Sequence, residues 1–109
     1  MYVINGDTIT LTKGDSFYTE LSLKNNDGET YVPQEGDVIK FGMKERATDE
    51  EVLIEKTIPN DTLLLHLSPH DTEDLKTRNY VYDIDITFAN GDKDTIINRG
   101  LFIIVEDVI

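Results

Sequence analysis

Apolar and polar residues alternate with a period of two from one end of this chain to the other, and that pattern describes half-buried strands. The clearest run is Tyr80-Val81-Tyr82-Asp83-Ile84-Asp85-Ile86-Thr87-Phe88. Its inward set is Tyr80, Tyr82, Ile84, Ile86 and Phe88; its outward set includes Asp83, Asp85 and Thr87. Residues 17–23 put Phe17, Leu21 and Leu23 on one face and Glu20 and Ser22 on the other. Residues 38–44 turn Ile39, Phe41 and Met43 inward, and residues 62–67 do the same with Leu63, Leu65 and Leu67. Further strands are expected near Ile9 and Leu11, at 52–58, at 94–97 and at 101–106, with Tyr31 and Val32 as a short return. Turn chemistry separates them: Asn25-Asn26-Asp27-Gly28, Pro33-Gln34-Glu35-Gly36-Asp37, Pro59-Asn60-Asp61 and Ala89-Asn90-Gly91-Asp92. These residues accept positive φ or preset a bend. Residues 47–50 form an acidic loop, and Arg99-Gly100 marks a bulge or kink.

Seven or eight short strands at this spacing predict an all-β, antiparallel two-sheet sandwich. The one helical signal is Ser68-Pro69-His70-Asp71, where Ser68 caps, Pro69 suits the first helical position and acids fill the first turn. One or two turns of helix are expected there, bridging the sheets. Tyr80, just after that helix, stands where a tyrosine corner would be; a packed core aromatic explains the same residue.

The 109 residues suffice for one domain, 1–109, with a core of its own. There is no cysteine, so neither a disulfide framework nor a thiolate metal site is expected. The opening residues carry no signal-peptide pattern, and no apolar run approaches the ~20 residues that span a bilayer. Acids outnumber bases 22 to 10, a net charge of −12. Such a surface repels phosphate backbones and anionic lipid, so neither nucleic acid nor membrane is an expected partner. The charge serves solubility, or a mating surface for a basic protein.

No constellation predicts catalysis. Ser68, His70 and Asp71 are too close in sequence to orient a base between two partners. Asp83 and Asp85 share a strand's solvent face, which leaves their acidities unsplit. Asn90-Gly91-Asp92-Lys93-Asp94 offers alternating oxygens, yet Thr95 and Leu101 stand where a calcium loop needs Gly and a bidentate Glu. His66, opposite Leu65 and Leu67, has too few companions for zinc. The chain is thus expected to be non-enzymatic, without cofactor or metal. A carbohydrate-binding module is the alternative, with Tyr2, Tyr18 and Tyr31 as its candidate exposed rings.

The carboxyl-terminal run Leu101, Phe102, Ile103, Ile104 and Val105 is apolar on both faces. Either the chain's own loops cover its outer face or another subunit does. These five residues are therefore the candidate partner interface.

Three blocks carry a resemblance that spans most of the chain. The first is Ile9-Thr10-Leu11-Thr12-Lys13-Gly14-Asp15-Ser16 with Asn26-Asp27-Gly28. The second is Pro33-Gln34-Glu35-Gly36-Asp37-Val38-Ile39-Lys40-Phe41. The third is Leu67-Ser68-Pro69, Leu75, Tyr80-Val81-Tyr82-Asp83-Ile84 and Asn90-Gly91-Asp92. Together they resemble the amino-terminal domain family of phage baseplate upper proteins and the small tail proteins of Gram-positive prophages. The resemblance implies an immunoglobulin-like sandwich and a virion component made in the bacterial host cytoplasm. Its implied partners are other tail or baseplate proteins, or a second copy of itself. Baseplate upper proteins continue into a receptor-binding region, whereas this sequence stops at Ile109, so a small accessory component is expected.

Overall fold

The computed structural model describes residues 2–25 and 27–106, and for residues 2–5 the backbone alone. Among the described residues the fold is all-β with one helical turn. In chain order its elements are β1 (Tyr2–Asn5), β2 (Thr8–Thr12), β3 (Phe17–Glu20), β4 (Val38–Lys44), β5 (Ile54–Ile58), β6 (Leu64–Leu67), α1 (Pro69–Thr72), β7 (Asn79–Thr87) and β8 (Lys93–Val105). Six strands form a large curled sheet in the order β1-β2-β8-β7-β4-β5. The other two, β3 and β6, pair antiparallel in a small second sheet.

The inward sets expected from alternation make the core. Ile39, Phe41 and Met43 of β4, Tyr80, Tyr82, Ile84 and Ile86 of β7, and Phe17, Leu65 and Leu67 of the small sheet are all buried. Phe102 is the meeting point. Its ring takes edge contacts from Phe17 of the small sheet and from Phe41 and Tyr82 of the large one, at centroid distances of 6.1, 6.3 and 6.1 Å. Such tilted pairs match ring edge to ring face and add to simple burial.

Strand β8 runs through the bulge expected at Arg99-Gly100. Tyr82 faces Gly100 and Ile84 faces Ile97, so β8 holds one residue more than β7 over this stretch; a second shift follows at Asp85 and Thr95. Arg99 takes φ +55°, and its N–H donates to Asp83 Oδ1 at 2.7 Å. Beyond the bulge β8 gains a second neighbour: Phe102 to Val105 pair in parallel with Ile9 to Thr12 of β2. The carboxyl-terminal run therefore lies inside the sheet, not at an open edge.

Helix α1 is capped as Ser68 suggests, with the Ser68 N–H donating to Asp71 Oδ2 at 2.7 Å. Asp71 also pairs with Lys56 of β5 at 2.9 Å, and Gly14 N–H donates to the buried Thr72 Oγ1. The helical turn thus ties the two sheets together. Tyr80 is a buried core aromatic whose hydroxyl donates to Lys76 O at 2.6 Å, four residues upstream.

Some expectations shift. The first strand pairs in a hairpin, β1 with β2, turning at Gly6 (φ +61°). Strands β5 and β6 start two residues later than expected. Leu63 takes φ +53°, closing the 59–63 turn by donating its N–H to Pro59 O and accepting Leu21 N–H, so it belongs to the turn and not to the strand's inner row. The return after residue 28 is a bridge of Lys24 to Thr30 plus Tyr31 N–H to Leu23 O, and it leaves Val32 exposed. Asn26 lies outside the described residues.

Gly100 is required by packing. A Cβ there would sit 2.5 Å from Tyr82 Cε1. Replacing Gly100 with Ala must displace a buried ring, and is expected to cost roughly 2–3 kcal/mol in urea denaturation. Replacing Gly42, whose Cβ would meet Val52 at 3.9 Å, is expected to cost far less.

Candidate functional site

The face of the large sheet that points away from the core divides at the β8 bulge. On one side, Leu101 and Ile103 are half-buried and Val105 is 37% exposed. Register sets Leu101 beside Val81, and Ile103 beside Thr10 of β2. This strip is apolar where alternation calls for polar side chains. Phe102 and Ile104, the other members of the run, point into the core and are buried. The candidate interface therefore narrows from five residues to Leu101, Ile103 and Val105, joined by Val81.

On the other side of the bulge the same face is hollowed into a groove of about 790 Å³. Its floor is the outward row of β4 (Val38, Lys40, Gly42, Lys44) beside that of β7 (Val81, Asp83, Asp85, Thr87). Ala47 and Val52 wall one flank, and Lys93, Asn98 and Arg99 the other. The hollow has local causes. Gly42 has no side chain, Val52 stands above it, and the bulge lifts Arg99 beside Asp83. Lys40 pairs with Glu55 at 3.1 Å and Lys93 with Asp85 at 3.4 Å.

Ser68 and Asp71 form the helix cap, while His70 is exposed and bonded to Glu73, whose carboxylate raises the imidazole pKa. Asn90 Oδ1 accepts the Asp92 N–H and Asp94 Oδ1 accepts the Thr95 N–H, so the oxygens at 90–94 serve the hairpin. Asp83 is exposed and Asp85 half-buried, each tied to β8. Among the candidate rings, Tyr18 is 47% exposed and stacks on His66 at 4.2 Å. Tyr31 is half-buried and bonded to Asp37. The Tyr2 side chain lies outside the described residues.

A second polar centre emerged only in three dimensions. Asp37 is 6% exposed, and its carboxylate accepts the Tyr31 hydroxyl, the Gln34 N–H at 2.8 Å and the Ala89 N–H at 3.1 Å. Asn60 Nδ2 donates to the Asp37 carbonyl at 2.8 Å. One residue therefore fastens three loops. The Tyr31 hydroxyl, then the Gln34 N–H, hold the Asp37 carboxyl below its ordinary range against the opposing pull of burial.

Comparison with known proteins finds no family model that matches the chain and no curated protein similar to it in sequence.

The titrations set a pH window. Asp37 is depressed in the folded state, so its contribution is complete above its ordinary value of 3.8 and is lost as pH falls through the lower folded value. Burial works against the charged form of Asp71, but Lys56 and the Ser68 N–H prevail, and it follows the same sense. Burial, helped by the Asp7 carboxylate, pushes the Tyr82 hydroxyl from 10.0 up to about 12, so its contribution is complete below 10.0 and is lost as pH rises toward 12. Denaturation midpoints are expected to fall on both limbs. Asp37→Asn is expected to lower the neutral midpoint and flatten the acid limb; an unchanged acid limb would count against this account.

Proposed function

We propose that this chain is a non-enzymatic structural component of a bacteriophage or prophage tail or baseplate. It works through protein–protein contacts made by the outer face of its large sheet. The observation that carries the proposal is the apolar strip of Leu101, Ile103, Val105 and Val81 on a face that alternation would leave polar. The partners are other tail or baseplate proteins, or a second copy of the chain.

The immunoglobulin-like assignment that accompanies the resemblance is part of this reading. It is supported by strand order: β8-β7-β4-β5 corresponds to a G-F-C-C′ sheet, with β3 and β6 in the roles of B and E. It is supported as well by the Tyr80 hydroxyl bond to Lys76 O near the start of β7, which has the form of the tyrosine corner of such domains. Fold alone does not carry function, which is why the strip and not the topology bears the argument.

Replacing Leu101 and Ile103 together with Lys is expected to abolish association while keeping the melting profile of a folded domain. Phe102→Lys is the contrasting control: it buries a charge at the centre of the core and is expected to cost at least about 4 kcal/mol and unfold the chain. Mass spectrometry of density-purified particles from the induced source cells tests the virion assignment, which predicts the chain at a stoichiometry comparable to baseplate proteins. Presence in the lysate but absence from intact particles would overturn it. The Tyr18–His66 stack favours a second reading, a carbohydrate-binding module; saturable binding in a glycan titration that Tyr18→Ala removes would support it.

A further inference from the structure

The groove beyond the bulge collects positive charge in a negative molecule. Four of the chain's 10 basic residues line it, Lys40, Lys44, Lys93 and Arg99, against three acids, Asp83, Asp85 and Glu55. Elsewhere acids dominate, since the whole chain carries −12. Pairing is uneven. Glu55 neutralises Lys40 and Asp85 neutralises Lys93, while Asp83 gives one oxygen to the Arg99 backbone. Among the described residues, the Lys44 ammonium and the Arg99 guanidinium have no partner. They come from the strands on either side of β7, and Val81 and Asp83 lie between them on the floor.

The groove follows the strands. Its floor takes in every outward position of β4 from Val38 to Lys44, about 20 Å at ~3.3 Å per residue. That is the length of an extended peptide of roughly six residues. Val38, Val52 and Val81 line the groove with apolar surface, and Val38 and Val52 are 40% and 42% exposed.

We propose that this groove receives an extended acidic-apolar segment of a partner protein, whose carboxylates pair with Lys44 and Arg99 and whose apolar side chains lie over Val81 and under Val52. The repulsion expected from the rest of the molecule does not forbid this. At physiological ionic strength the screening length is about 8 Å, so the cations in the groove act mainly on groups lying within it. Desolvation against the valine walls strengthens each ion pair relative to open surface. The inference stands on the groove alone and holds whether or not the chain belongs to a virion.

The test is fluorescence anisotropy of the intact chain with a short fluorescein-labelled peptide of alternating glutamate and valine, at about 0.15 M ionic strength. Saturable binding in the micromolar range is expected, with no saturation by the lysine–valine counterpart. Gly42→Val fills the floor at a position with ordinary backbone and room for a Cβ, so it is expected to abolish binding with the thermal midpoint kept. As a second variant that leaves the packing alone, Lys44→Gln with Arg99→Asn is expected to weaken binding by at least roughly tenfold; Asn tolerates the left-handed backbone of residue 99. No saturation, equal binding of the lysine peptide, or binding untouched by both variants would overturn the proposal. So would a dimer in sedimentation equilibrium that Gly42→Val dissociates, which would assign the groove to a second copy.

Discussion

The register of β8 is the constraint on which the rest of the molecule depends, and hydrophobicity cannot set it. A strand is normally pinned because a one-residue slip turns its apolar row toward water. Leu101, Phe102, Ile103, Ile104 and Val105 are apolar on both faces, so a slip there exposes as much apolar surface as it buries. The pin lies just upstream. Gly100 admits the Tyr82 ring, which no other residue would allow, and the Tyr82 hydroxyl reaches the Asp7 carbonyl in the β1–β2 turn. The Arg99 N–H is held by Asp83. These contacts fix which residue of β8 opposes Tyr82, and with it that Phe102, not Leu101, enters the core.

From that register the core follows. Phe102 meets Phe17 of the small sheet and Phe41 and Tyr82 within its own sheet. A second sheet of only two strands can then close the core, because the large sheet curls toward it and α1 clasps both through Lys56–Asp71 and Thr72. Away from α1, Asp37 acts as a polar clasp. A buried carboxylate is ordinarily destabilising, but here three donors satisfy it and keep it ionised, so it ties loops 31–37, 59–61 and 88–92 without leaving a lone charge.

Much of this was legible in the sequence because period-two burial is local. The inward rows of β4 and β7, the helix cap at Ser68, the Asn90-Gly91 hairpin and the bulge at Arg99-Gly100 all rest on neighbouring residues. What escaped depended on distant ones. Tyr2-Val3-Ile4 does not alternate, although the Asn5-Gly6 pair that follows is a hairpin signal. Leu63 matched the inner row of its strand, yet backbone bonds to Pro59 and Leu21 hold it in a left-handed turn. The parallel pairing of β2 with β8 joins opposite ends of the chain, and no local pattern announces it. Gly42 contributes to the groove by lacking a side chain, and a lone glycine inside a strand does not reveal what stands above it.

The bulge also joins the two exposed features. The extra residue in β8 separates the apolar strip from the charged groove, and Val81 borders both. Across it β8 changes phase against β7, so that Leu101 and Ile103 face outward on one side while Ile97 opposes the buried Ile84 on the other. The bulge therefore decides which apolar residues form the strip and sets Arg99 on the groove wall, while the second shift, at Asp85 and Thr95, lies between it and Lys93. Bulges disrupt a ladder and persist where they re-aim side chains. Here the irregularity turns Leu101 and Ile103, rather than Phe102 and Ile104, outward and raises an unpaired cation beside them, which gives the outer face of the large sheet two chemically distinct halves.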